Sequence, residues 1–195
     1  LVFLASTEPA RLLATLRSRC RLHHLAPPPE SYAISWLARE VTASSEALLS
    51  ALRLSAGSPG AALTLLQAES WAHRTDFCAA LVNTLNAGDW YILLAALNHD
   101  QAAARLHWLA TLFTDALKRP YGIAHLTNPD ALDLISSIAE RLSVAQIQAI
   151  LGDVCHCRQQ LLNVTGVNRE LVLTDLILRI EHYLQPGTVL PVPHL

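Results

Sequence analysis

Of 195 residues, 52% are hydrophobic and only 15% charged, so much apolar surface must be buried between elements or against other chains. A net charge of −2 and a pI near 6.5 exclude a globally basic surface for nucleic acid or an anionic membrane. No apolar run reaches the roughly 18 residues of a membrane span, and no signal peptide opens the chain. Cys20, Cys78, Cys155 and Cys157 lack the spacing of a disulfide framework and read as reduced thiols of a cytoplasmic protein.

The chain contains no methionine and opens directly on "LVFLAS". Residues 2–6 have the pattern of an interior strand of a parallel sheet, so further strands are expected upstream. Thr7 can cap a following helix that places Leu12, Leu13 and Leu16 on one face. "RLHHL" (21–25) alternates and reads as a second short strand. "APPPE" (26–30) is a rigid break and the best domain boundary.

Beyond the prolines the pattern is helical. Tyr32, Trp36, Leu37 and Val41 define one amphipathic helix. Ser45 can cap a second, carrying Leu48, Leu49, Leu52 and Leu54 and ending at Gly57. Ser58 and Pro59 open a third, with Ala62, Leu63, Leu65 and Leu66. Longer helices follow over about 70–85, 89–98, 101–119, 129–141, 143–162 and 167–184, with start signals at Asp89, at Asn128 before Pro129, and in a Ser143–Gln146 capping box. Residues 185–195, with three prolines, predict an extended tail.

Catalytic and metal motifs are missing. There is no G-x-S-x-G, H-E-x-x-H, G-x-x-x-x-G-K-[ST] or G-x-G-x-x-G pattern. On a helix Cys155 and Cys157 point about 200° apart and cannot chelate one ion; they read as small buried residues. His23 and His24 have no ligating neighbours, and no metal site is expected. Asp130 and Asp133 read as parts of a solvated helix face. The four tryptophans (36, 71, 90 and 108) read as core or interface anchors. The basic pair in "ALKRP" (116–120) suits a helix C-terminus.

"FLASTEPARLLATLRSRC" followed by "RLHHLAPPPE" resembles the end of the ATPase core in the AAA+ clamp-loader family. The downstream segments "ALRLSAGSPGAAL", "ARLHWLATLFTDALKR" and "LLNVTGVNRELVLTDLILRIEHYLQPG" resemble a non-motor bacterial member of that family. The resemblance runs along the whole chain. It implies a mainly α fold in three parts: a short α/β remnant of the AAA+ core (1–25), a three-helix lid (26–68), and a helical collar with an extended tail (69–195).

The family's S-R-C motif falls on Ser18, Arg19 and Cys20. The resemblance implies that Arg19 is an arginine finger reaching ATP on a neighbouring subunit, with Ser18 and Cys20 supporting it. Ser6 takes the sensor-1 position, and Gly60 stands where ATPase members carry the sensor-2 arginine. A chain without that arginine is poorly equipped to hydrolyse its own ATP, so no bound cofactor and no intrinsic activity are expected. The implied partners are the delta and gamma or tau subunits, met through the collar, and the sliding clamp and primed DNA, met through the assembled ring of a replicative polymerase. A stand-alone helical adaptor, with Arg19 an ordinary surface residue, is the alternative; collar-based hydrolytic or metal chemistry comes third.

Overall fold

Leucine and alanine at helical spacing, with prolines confined to the joints, build ten α-helices and three 3₁₀ turns among the described residues. A computed structural model of the chain describes residues 2–6, 9–67 and 69–191. The fold is mainly α, as expected.

The two expected strands do not form. Residues 2–6 and 21–25 carry no ladder, and Phe3 and Leu25 are 86% and 83% exposed. A strand is stabilised by pairing with a neighbour, and nothing among the described residues offers one. The helix between them is correspondingly short: a 3₁₀ turn at Pro9–Arg11 and the single-turn α1, Ala14–Arg17. Leu12 is half-buried, but Leu13 and Leu16 face solvent. Thr7 lies outside the described residues.

Three helices follow the prolines: α2 (Glu30–Glu40), α3 (Ser45–Leu54) and α4 (Pro59–Gln67). Their core is Ala33, Leu37, Leu48, Ala51, Leu52 and Ala62. Three alanines among six residues let the helix backbones approach closely. Tyr32, expected on the buried face, is exposed, and Ala33 takes that place. The cap of α3 is Ser44 rather than Ser45: its side chain accepts the Ala47 N–H at 3.1 Å.

The end of α3 also differs by one residue from the expected glycine stop. Ala56 already adopts the left-handed conformation (φ +51°), followed by Gly57 at +79°. The Gly57 N–H donates to the Leu52 carbonyl and the Ala56 N–H to the Arg53 carbonyl, the paired bonds of a Schellman end. A Cβ on Gly57 would lie 3.1 Å from the Pro27 ring, so the proline linker is seated against this turn.

Six further helices form the larger part: α5 (Glu69–Ala87), α6 (Tyr91–Leu97), α7 (Ala102–Lys118), α8 (Leu132–Arg141), α9 (Val144–Asn163) and α10 (Arg169–Leu184). Helix α7 runs through their centre, packed along α9 and flanked by α8, α5 and α6, while α10 covers α9 and α6. Its buried residues cover about half of its circumference, including Leu106, Trp108, Leu109, Leu112 and Phe113, a wide face for a helix with neighbours on several sides. Trp90 meets Phe113 edge-on, and Phe77 packs on Trp108. Trp36 and Trp71 are half-buried.

Helix ends are closed by several devices. The Ser143–Gln146 capping box is present in full. The Asp89 carboxylate accepts the Tyr91 N–H at 2.9 Å, and Asn168, which the periodicity did not single out, caps α10 through the Leu171 N–H. Arg141 donates to the Leu85 carbonyl and Arg105 to the Ala96 carbonyl, serving the last turns of α5 and α6. The described part of the tail, 185–191, has no regular structure. Among the described residues no single helix is long and apolar enough to cross a membrane.

The left-handed Ala56 yields a direct test. Ala56→Gly removes the steric cost of a Cβ at positive φ and is expected to stabilise the chain by roughly 0.5–1 kcal/mol. Gly57→Ala is expected to destabilise, because positive φ and the Pro27 ring both oppose a side chain. Urea midpoints at constant m-value measure both.

Candidate functional site

Ser18, Arg19 and Cys20 follow directly on α1 and are all exposed. The Arg19 N–H donates to the Leu16 carbonyl at 3.2 Å, and the Cys20 N–H donates to the same oxygen at 3.1 Å. The Ser18 hydroxyl donates to the Thr15 carbonyl at 3.2 Å, tightening the turn. The backbone of the tripeptide is thus held locally. The Arg19 guanidinium makes no hydrogen bond or ion pair among the described residues.

Ser6 is exposed and lies in the unpaired N-terminal segment. Gly60 stands at the second position of α4 with open space where a side chain would project. His23 and His24 are exposed. None of these residues converges on a common pocket, and no group of three His, Cys, Asp or Glu side chains among the described residues could hold a metal ion. Cys155 and Cys157 do face opposite ways, but only Cys157 is buried; Cys155 is exposed. Burial, reinforced by Asp175 and Asp153, pushes the Cys157 thiol up to about 11, which makes it unreactive as a nucleophile.

The polar machinery that sequence patterning missed lies at the seam between α2–α4 and the larger bundle. Asp115, fully buried on α7, accepts the backbone N–H groups of Thr127 and Asn128, the Asn128 amide and the Lys118 ammonium, all between 2.8 and 3.0 Å. Lys118 also donates to the His125 carbonyl at 3.1 Å. It therefore holds a loop, where dipole complementarity was expected to account for it. Asn128 stands at the N-cap of the Pro129–Ala131 turn, where a start was expected, but its buried side chain makes no cap bond: its oxygen accepts from Arg74 at 2.8 Å.

Arg74, 2% exposed, forms a two-pronged ion pair with Asp130 and lies 4.8 Å over the Trp71 ring. Asp130 keeps contact with solvent, as does Asp133, but its carboxylate is also tied into the seam, which its reading as part of a solvated face did not include. Asp130 also accepts the Ser50 hydroxyl of α3. Three residues on, Arg53 donates twice to the Glu30 carboxylate, at 2.8 and 3.0 Å, and once to the Leu126 carbonyl. The Arg53 bonds hold the Glu30 carboxyl below the usual carboxylate range.

Beside this seam lies an open apolar groove of about 370 Å³, lined by Leu54, Thr64, Leu65, Gln101 and Trp108 among others. It gathers no titratable side chain and can supply no acid–base chemistry. The S-R-C tripeptide and the polar seam are therefore separate features, with the proline linker between them in the chain.

The family model for the C-terminal part of the DNA polymerase III delta subunit matches residues 68–182. The chain belongs to the DNA polymerase III delta/delta' family. The model for the AAA+ ATPase lid domain of subunit delta' matches residues 28–67, covering α2–α4. Among relatives, DNA polymerase III subunit delta' of Escherichia coli (strain K12) is 68% identical over 193 residues, spanning 99% of this chain and 58% of that protein. The Yersinia pestis delta' subunit is 43% identical over 96% of this chain and 57% of its own length, and that of Haemophilus influenzae 28% identical over 91% and 54%. The chain thus spans a little over half the length of these relatives.

Two stability tests follow from the buried groups. Arg74→Met keeps the stem volume but leaves the buried Asn128 oxygen without its donor and Asp130 without its cation, and is expected to cost about 1–3 kcal/mol in urea unfolding. His107 on α7 has its pKa lowered, by burial first and by Arg158 second. The folded state therefore binds this proton less readily than the unfolded state. Its contribution is complete above the ordinary histidine range, near 6.5, and is lost as pH falls through that value toward the lower folded one. Thermal melts from pH 8 to 5 should show a fall in Tm that His107→Gln flattens.

Proposed function

We propose that the chain is the lid-and-collar part of a non-motor subunit of the bacterial clamp loader, and that it supplies Arg19 in trans to the ATP of a neighbouring subunit. The carrying observation is the place of Arg19 in an S-R-C tripeptide of a chain of the delta' family; its guanidinium is exposed and without a partner among the described residues, as are those of Arg17 and Arg21, so the motif singles it out. A structural arginine in this chain behaves differently: Arg53, Arg74, Arg105 and Arg141 are all bonded to carboxylates or carbonyls.

The chemistry suits the residue. A guanidinium keeps its charge at any working pH and offers a planar fork of donors to γ-phosphate oxygens, which a lysine ammonium does not reproduce. As charge spreads over those oxygens during phosphoryl transfer, a cation delivered from the next subunit stabilises it only when the ring is assembled. Turnover is thereby coupled to assembly. Gly60, where a sensor arginine would touch the chain's own nucleotide, supports the reading of a subunit that assists ATP turnover without performing it. The larger helical bundle would pack beside its counterparts in delta and gamma or tau, and the assembled ring would place the sliding clamp on primed DNA.

The test uses full-length protein carrying Arg19→Ala, assembled with the ATPase subunits and assayed for DNA-stimulated ATP turnover. Normal assembly is expected, with turnover at the served site reduced by roughly 10³-fold or more. Arg19→Lys is expected to recover little, because the fork is lost. Unchanged turnover in Arg19→Ala would remove the finger role.

A further inference from the structure

Helix α7 ends on a loop whose two ends are tied to one residue, Lys118. Arg119–Pro120–Tyr121 forms a 3₁₀ turn, closed by Gly122 in the left-handed conformation at φ +65°. The Gly122 N–H donates to the Arg119 carbonyl and the Ile123 N–H to the Lys118 carbonyl, so the chain reverses at once. Two residues on, the Lys118 ammonium donates to the His125 carbonyl at 3.1 Å, and it also donates to buried Asp115 at 2.8 Å. Asp115 in turn accepts the N–H groups of Thr127 and Asn128, and Arg53 of α3 reaches the Leu126 carbonyl just before them. Residues 119–125 are therefore a short loop with closed ends, pinned at its base from both α7 and α3.

The loop adds nothing to the chain's own core, since none of residues 119–125 is buried. Tyr121 is 70% and Ile123 48% exposed; Leu132, on the first turn of α8 beside the Arg119–Tyr121 turn, is 46% exposed. Apolar groups on an anchored backbone can be covered without the ordering cost that a mobile loop would incur. Tyrosine and arginine are also the residue types on which interface energy concentrates. The charge around the tip decides the class of partner. From residue 116 to 129 there is no carboxylate, and Lys118 is committed to Asp115. Arg119 is exposed and has no side-chain bond among the described residues. A single free guanidinium is too little for nucleic acid, whose binding rests on several phosphate contacts. Asp133, next to Leu132, is exposed as well, which further disfavours a polyanion there. One guanidinium beside apolar side chains suits a protein surface with a carboxylate at its rim.

We infer that the Arg119–His125 loop, together with Leu132, is a docking tip for a neighbouring subunit, whose receiving surface is an apolar pocket bearing a carboxylate for Arg119. This rests on the proposed assembly of the chain with delta and gamma or tau subunits. The loop lies within residues 68–182, the part matched by the delta C-terminal family model and proposed to pack beside its counterparts. Tyr121 enters the pocket, Ile123 and Leu132 exclude water around it, and Arg119 pairs at the edge.

Two measurements on the full-length protein, mixed with delta and the gamma or tau ATPase subunits, test the inference. First, the photo-crosslinking residue p-benzoylphenylalanine replaces Tyr121, and the complex is irradiated with and without primed DNA. An adduct with another protein subunit is expected in both conditions. An adduct with DNA alone, or no protein adduct, overturns the inference. Second, the Kd for assembly is measured for Tyr121→Ser combined with Ile123→Ser. It is expected to rise by roughly tenfold or more, while the urea midpoint of the unassembled protein stays unchanged because both side chains are exposed. Arg119→Glu is expected to weaken assembly as well, most strongly at low salt. A double variant that assembles with the unaltered Kd overturns the inference and leaves the proposed function intact. Failure of the unsubstituted protein to assemble with these subunits overturns both, and is recognised without any variant.

Discussion

A buried guanidinium demands an acceptor for its charge, and the way Arg74 meets that demand organises the rest of the chain. Taking a cation to 2% exposure is tolerable only when carboxylates are held in register around it. Asp130 supplies the charge, Asn128 a further oxygen, and Trp71 an aromatic face. Asn128 and Asp130 belong to one loop, and that loop is itself held by Asp115 through main-chain and side-chain bonds. The result is a polar core in which each group is fixed by the next, between two apolar cores that share almost no residues.

That arrangement explains how a lid of about forty residues keeps its place. A bundle this small, with six fully buried side chains, is near the lower limit for independent stability. Its three helices gain support from the larger bundle at the seam: Ser50 on Asp130, Arg53 on the Leu126 carbonyl, the half-buried Leu65 against both cores, and Trp71 of α5 against the smaller one. Hydrophobic contact alone would allow sliding along the seam. Directional bonds to a pinned loop do not.

Much of the architecture was legible because helix signals are local. The capping box at Ser143 and the glycine turn near residue 57 can be read from a few neighbouring residues, as can the spacing of Leu48 and Leu52. The polar seam was not legible, because its members lie 54–80 residues apart and each alone looks ordinary. Asp130 beside an amphipathic helix suggested only solvent, and Asn128 before a proline only a helix start. Only the long-range partners Arg74 and Ser50 distinguish them. The strands at 2–6 and 21–25 failed for the complementary reason. Apolar alternation records a preference for a sheet, and a sheet requires neighbouring strands that the described residues do not include.

The same contrast bears on function. The collar and lid are determined by their own contacts, whereas the S-R-C segment is held by a few backbone bonds and presents its guanidinium outward. Arg53, Arg105 and Arg141 find acceptors within the chain. Under the proposed trans role an acceptor in its own chain would compete with the phosphate, and among the described residues the Arg19 guanidinium has none. The bonds to the Leu16 carbonyl hold the tripeptide's backbone without engaging the guanidinium, so the local turn is formed while the charge stays available.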